Sequence, residues 1–204
     1  MLYQQIDMEL AEREAWAWRR QKGICCNRRL FVLACMLFVL ACMDERLPVE
    51  QALGIRLGDA HIFRNAGGLV TDDVIRSAML TTQFFGTREI IVLNHTECGM
   101  MTTTGEYLAN ALKEKGLDPA NVPIDPDLPE LKLEKEAFGK WIKMFTDVDE
   151  TCEKQVELLR NSPWIPNDVA IHGYVWEVEN MRLRRPHIRL SDRVNTAKSM
   201  GAMG

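Results

Sequence analysis

The chain has 204 residues, room for one domain with a sizeable core, and its 47% apolar and 26% charged content is that of an ordinary folded protein. A net charge of -4 and a pI near 5.6 give neither nucleic acid nor an anionic membrane an electrostatic foothold, so small-molecule chemistry is the expectation. Six cysteines, at 25, 26, 35, 42, 98 and 152, in a chain whose first residues lack the apolar stretch of a secretory signal imply a cytoplasmic protein with reduced thiols. Metal ligation or burial is then a better account of them than cross-linking.

In chain order, Met8 to Lys22 has helical spacing, with Leu10, Trp16 and Trp18 among charged neighbours and Gly23 as a stop. It reads as an N-terminal helical arm that packs on something else, within residues 1–29. Residues 30–36 and 37–43 are the same heptad, LFVLACM, twice. Seven is odd, so a continuous strand would turn the second copy's side chains to the opposite face from the first. Fourteen extended residues would also reach about 46 Å, more than a small sheet uses, and the run is too short for an ordinary membrane span. The second copy is therefore the expected strand and the first is surplus.

FVLAC, AHIFRN, REIIVLNH and VAIHGYVWEV are short β-branched and aromatic runs separated by helical stretches, which predicts an α/β fold with a mainly parallel central sheet flanked by helices. A helix capped by Thr71 should run to about Phe85 and stop at Gly86, with Asp72 and Asp73 in its first turn. Another should end near Lys115. The segment with Pro119, Pro123, Pro126 and Pro129 should be an extended surface connection, followed by helices at about Glu134–Phe145 and Glu150–Asn161. Residues 37–178 form the expected catalytic core of a single domain and 179–204 a basic tail.

The chemistry gathers at strand ends. The second heptad delivers Cys42-Met43-Asp44-Glu45-Arg46, and the third strand finishes Asn94-His95-Thr96-Glu97-Cys98-Gly99. Parallel strands present such residues at their carboxyl edge, where α/β proteins build their sites. Cys42, His95 and Cys98 offer two thiolates and an imidazole, a set suited to Zn2+ with the fourth tetrahedral position open, as in catalytic rather than structural zinc sites. His61, His172 and His187 lack partners at ligand spacing, Cys25-Cys26 is poorly placed for a disulfide, and Cys152 reads as core.

CMDER, HIFRNAGG and NHTECGM, in this order on successive strands, resemble the signature segments of the β-class carbonic anhydrases. TDDVIRSAMLTTQFFGTREII, DPDLP and LLRNSPWIP…HGYVWEVE resemble the branch of that family that hydrolyses carbon disulfide and carbonyl sulfide. The resemblance implies zinc on Cys42, His95 and Cys98, lowering the pKa of a water to about 7, with Asp44 accepting a hydrogen bond from that water and Arg46 pairing with Asp44 to hold it off the metal. Gly67 and Gly68 either make a turn or let the backbone lie close to the metal, where the family has this loop. Phe84 and Phe85 are either the core face of a helix end or, as the resemblance suggests, an apolar approach to the zinc supplied across a dimer interface.

The implied reaction is hydrolysis of a small linear heterocumulene, carbon disulfide by way of carbonyl sulfide, to hydrogen sulfide and carbon dioxide. Carbon dioxide hydration is the alternative. Several plant-type members of the family carry a substrate-contacting glutamine about nine residues before the first zinc cysteine, where this chain has Leu33, or Cys26 if one heptad is ignored. A non-catalytic zinc protein is a third reading. The family also implies a homo-oligomer built on dimers, an octamer or larger, with the Trp16 and Trp18 arm as one contact, and no nucleic-acid or membrane partner.

Overall fold

The structure is a computed structural model and describes residues 37–56, 58–125, 127–133 and 137–187. The helical arm with Trp16 and Trp18, Cys25, Cys26, the first heptad and most of the basic tail lie outside the described residues. Two compact units are distinguished, one of the described residues up to Thr96 and from Val148 on, the other of Glu97–Asp147.

The first unit is built on a five-stranded sheet of order β2-β1-β3-β6-β7, from β1 (Leu37–Cys42), β2 (Ala60–Asn65), β3 (Glu89–His95), β6 (Ala170–Glu177) and β7 (Arg182–Arg184). The first four strands are parallel, and only β7 is antiparallel. β1 is the second heptad. Its Phe38–Cys42 are all buried, as a central strand covered on both faces should be, which is why the sequence is a continuous apolar run rather than an alternation. Leu37 pairs with Ala60 on one side and with Glu89 on the other, so the three strands start level. Their ends are consequently level too: Cys42 stands beside Asn65, and Ala41 beside Leu93, two residues short of His95.

The helices follow the apolar spacing. Short α1 (Val49–Leu53) follows β1 and ends on left-handed Gly54; the sequence reading did not anticipate it. α2 (Asp72–Phe84) buries Val74, Ala78, Thr81 and Thr82, spaced by three and four, and ends before Gly86 as expected. Thr71 occupies its N-cap position without a side-chain hydrogen bond. α5 (Val148–Arg160) buries Val148, Thr151, Cys152, Gln155, Val156 and Leu159 and packs on β6 and β3. A side chain on Gly173 of β6 would come within 2.9 Å of Cys152 Sγ, so the missing Cβ is what lets α5 lie this close.

The chain beyond residue 178 is more than a tail. Arg182–Arg184 pairs with β6, and the Arg184 guanidinium donates to Glu177 Oε1 and to both carboxylate oxygens of Asp149 in the first turn of α5. His187 N also donates to Asp149, at 2.9 Å. Burial opposes the charged carboxylate, but these bonds outweigh it and hold the Asp149 pKa below the usual carboxylate range. A lowered folded-state pKa means that the unfolded chain binds more protons. The stabilisation is thus complete above the ordinary carboxylate range and is lost as pH falls through the folded value. Asp149→Asn is expected to cost roughly 2 kcal/mol at neutral pH and to flatten the acid side of the Tm against pH curve. A variant with the parent's acid limb would show that the pair contributes nothing.

In the second unit, α3 (Gly105–Glu114) is capped by Thr104, whose hydroxyl accepts from Tyr107 N. α3 lies against α4 (Phe138–Ile142) through a glycine contact: a Cβ on Gly105 would come within 2.7 Å of Gly139 Cα. The expected long helix at Glu134–Phe145 is thus corrected to one short helix, ended by Lys143 at φ 56°, while residues 134–136 lie outside the described residues. The proline-rich stretch is extended and largely exposed, as expected, but it is also paired. It forms an antiparallel pair, β4 (Pro123–Asp125) and β5 (Leu128–Lys132), in which Asp125 Oδ1 accepts from Asp127 N to make the turn. Prolines are tolerated here because a two-stranded ribbon leaves one edge of each strand without a partner.

Candidate metal centre

Cys42 is the last residue of β1 and His95 the last of β3; Cys98 follows three residues on. Sγ of Cys42, a ring nitrogen of His95 and Sγ of Cys98 all lie within 4.8 Å of one another, and all three residues are buried. His95 Nδ1 is 2.8 Å from the Thr96 carbonyl oxygen, an acceptor only, so Nδ1 carries the proton. The lone pair is then on Nε2, a buried atom with no hydrogen-bond partner of ordinary geometry among the described residues. A buried imidazole lone pair beside two sulfurs fits a soft metal ion, and three donors leave a tetrahedral ion one position open. The residues present therefore suit zinc.

Asp44 begins the turn after β1. Its Oδ1 accepts from Arg46 N at 2.9 Å and Nε at 3.0 Å, and Oδ2 accepts from Nη2 at 2.9 Å. These hydrogen bonds from Arg46 are the main reason that the carboxyl pKa is held down at about 2. Oδ2 also lies 3.8 Å from His95 Nε2, so the carboxylate is adjacent to the donor cluster while both its oxygens are engaged by one guanidinium.

The loop after β2 decides how closely the chain can pass. Gly67 and Gly68 take φ of 79° and 61°. A Cβ on Gly68 would meet Cys42 N at 2.8 Å and the Ala41 carbonyl carbon at 3.0 Å. Both glycines turn the chain, and Gly68 also brings its backbone against the strand end that carries Cys42. Gly68→Ala is expected to cost on the order of 3 kcal/mol, from left-handed strain plus overlap with backbone. Gly58→Ala, also left-handed at φ 92° but with nothing within 4 Å, should cost only about 1 kcal/mol. Urea midpoints would separate the two, and equal losses would show that the contact with β1 is not tight.

Phe84 and Phe85 are not core. They are 68% and 52% exposed, and Phe85 stacks at 6.3 Å, tilted, on His61. His172 Nε2 pairs with Glu89 at 3.0 Å, and Cys152 is core, as expected.

Several polar residues that organise the site lie inside the quoted strand-end segments but had no role assigned to them from the sequence. Asn94 Nδ2 donates to the carbonyls of Gly67 and Gly68, at 2.6 and 3.3 Å, and so ties the glycine loop to β3. Asn65 holds the far side of that loop through two bonds with Leu69. Thr96, whose carbonyl orients His95, is fixed by β6: its N donates to Trp176 O, and its hydroxyl accepts from Val178 N and donates to Glu179. Arg64 donates to two carbonyls of the turn after β1. The partners are 20 or more residues apart in most of these contacts, beyond any spacing argument.

A family model described as carbonic anhydrase matches residues 37–183, and Beta-carbonic anhydrase 1 of Mycobacterium bovis is 35% identical over 146 residues, 71% of this chain and 78% of that protein. The chain belongs to the β-carbonic anhydrase family. Within this family, a carbon disulfide hydrolase of Acidithiobacillus thiooxidans is 58% identical over 203 residues, 98% of each chain. Among solved structures, the apo selenomethionine form of a carbon disulfide hydrolase is 50% identical, covers 92% of this chain and 93% of its own, and superposes with a TM-score of 0.73. The donor cluster thus sits in a member of a zinc enzyme family. No described helix is long and apolar enough to cross a membrane.

Proposed function

We propose that this β-carbonic anhydrase family member is a zinc-dependent hydrolase of carbon disulfide, taking it through carbonyl sulfide to carbon dioxide and two molecules of hydrogen sulfide with consumption of two waters. The observation that carries the reading is the buried Cys42, His95, Cys98 cluster with Asp44 held beside it by Arg46. Zinc bound there would act as a Lewis acid that makes water a nucleophile near neutral pH. Asp44, ionised and oriented, accepts the proton or hydrogen bond of the attacking water. Arg46 keeps the carboxylate charged and aimed, and Thr96 fixes the imidazole tautomer. The preference for a sulfur substrate is supported by the named relatives, whose similarity extends over nearly the whole chain; the exposed Phe84 and Phe85 would, as the family resemblance has it, add an apolar approach that suits a substrate without hydrogen-bonding groups.

The exposure of Phe84, Phe85 and nearby Trp164, whose carbonyl accepts from Gln83 at 3.4 Å, also supports a homo-oligomer that covers this patch, and the family resemblance gives its build as dimers assembled to an octamer or larger. A cytoplasmic location is supported by a donor set that needs reduced thiols. Family membership favours carbon dioxide hydration as the second reading. Both are tested by supplying zinc-loaded protein with carbon disulfide and, separately, with carbon dioxide. Sulfide release many times above background with slow hydration is the expected result, and fast hydration without sulfide release would reverse the order.

A further inference from the structure

The turn after β1 carries the carboxylate that must stay beside the metal position without filling it, yet Met43, Glu45 and Arg46 in that turn are exposed. Met43 is 66% exposed, and the Arg46 side chain is 43% exposed. Leu47 N closes the turn on the Asp44 carbonyl at 3.1 Å, and the backbone is gripped as well by the end of β2. Arg64 Nε donates to the Cys42 carbonyl at 2.9 Å, and its Nη2 to the Asp44 carbonyl at 2.6 Å, while Met43 N donates to the Asn65 carbonyl at 2.9 Å. Three consecutive residues, beginning with a metal donor and ending with the acid, are pinned to two neighbouring residues of β2.

The division of labour is specific. Arg46 engages both carboxylate oxygens of Asp44, while Arg64 takes only the main-chain oxygens on either side of Met43. The planar guanidinium reaches both carbonyls at once, which a lysine ammonium on a flexible stem would not hold in one geometry. Asp44 Oδ2 is already 3.8 Å from His95 Nε2, so only a small shift of this backbone separates an acid beside the metal position from an acid in it.

We propose that Arg64 is a positioning residue for this site: its fork on the Cys42 and Asp44 carbonyls fixes the turn so that Asp44 stays off the fourth metal position. The inference rests on the zinc reading above and goes beyond it, since it assigns the open coordination to β2 as well as to Arg46. Arg64→Ala then frees the turn, Asp44 becomes a fourth ligand, and the site closes although all three donors remain.

The test uses cobalt-substituted full-length protein, with visible d–d absorption recorded before and after azide, beside sulfide-release kinetics. Wild type should shift its spectrum with azide. Arg64→Ala should bind cobalt in full, lose the azide response, and lose about 10- to 100-fold in kcat with little change in KM. The double variant Arg64→Ala/Asp44→Asn should regain the azide response while staying slow. Arg64→Lys, which keeps the charge but not the fork, should fall between wild type and Arg64→Ala, and it carries the same test if Arg64→Ala does not fold. An unchanged azide response and kcat in the Arg64 variants overturns the proposal, as does a double variant that stays silent to azide. Failure of wild type and Asp44→Asn alike to take up cobalt would instead overturn the metal-site reading on which it stands.

Discussion

Cys42→Ser is expected to remove both the metal and the activity while leaving the fold in place. The substitution exchanges sulfur for oxygen at the buried end of β1 without changing the size of the side chain much, so the pairing of Cys42 with Asn65 should survive. A serine hydroxyl, however, does not ionise near neutral pH and is a poor partner for zinc, which leaves two donors where three are needed. Zinc content should fall from about one ion per chain to almost none. Sulfide release should drop by at least about 10³-fold, because the several kcal/mol of transition-state stabilisation that a Lewis acid supplies are lost together. Cys152→Ser is the matching control. That thiol is equally buried, but burial, with Glu153 and Asp149 nearby, pushes its pKa up to about 12, so it is a neutral packing group in the contact of α5 with β6. Its replacement should lower stability and leave zinc content unchanged. A Cys42→Ser protein that kept its zinc would show that the donors are misassigned.

The same comparison explains why the metal centre was legible in the sequence. Its donors stand at strand ends in short local strings, and strand ends are where a parallel sheet exposes chemistry, so Cys42, His95 and Cys98 could be named before any coordinates. The second copy of the heptad was picked out by the same logic: it runs into Asp44 and Arg46, and it is β1, while the first copy lies outside the described residues. Elements whose cause is non-local were not legible. β7 reads as charged tail because Arg182 and Arg184 carry no strand pattern; it becomes a strand through ion pairs with Glu177 and Asp149 from other elements. The hairpin at Pro123–Lys132 was hidden by prolines that only a two-stranded edge accepts. Likewise, Arg64, Asn94 and Thr96 hold the site through carbonyls on neighbouring strands, which a linear motif does not display. Phe84 and Phe85 show the limit from the other side. Their helical position fitted a core face, whereas both rings are exposed among the described residues.

Arg46→Ala should be nearly as damaging as loss of a ligand, and for a reason that can be separated from charge. With Arg46 present, Asp44 has a pKa of about 2 and is ionised at any working pH. Without it, the carboxyl pKa rises toward the ordinary value of about 4, still well below neutrality, so Asp44 remains charged. Any loss of turnover therefore reports position rather than protonation. The freed carboxylate, whose Oδ2 is already 3.8 Å from His95 Nε2, would be free to move into the adjacent metal position and would then no longer be placed to take a proton from the attacking water. Turnover is expected to fall about 10²- to 10⁴-fold, the usual worth of a positioned acid or base, with zinc content unchanged. The deficit should be flat from about pH 6 to 9, because no titration of Asp44 occurs there. Added guanidinium ion should restore part of the rate by reoccupying the vacated space. Asp44→Asn should be as slow as Arg46→Ala but deaf to guanidinium, since an amide needs no restraint from the metal and cannot take the proton. If Arg46→Ala instead turned over at the wild-type rate, the bonds from Arg46 would be ornament to the turn, and the openness of the centre would have to come from the backbone alone.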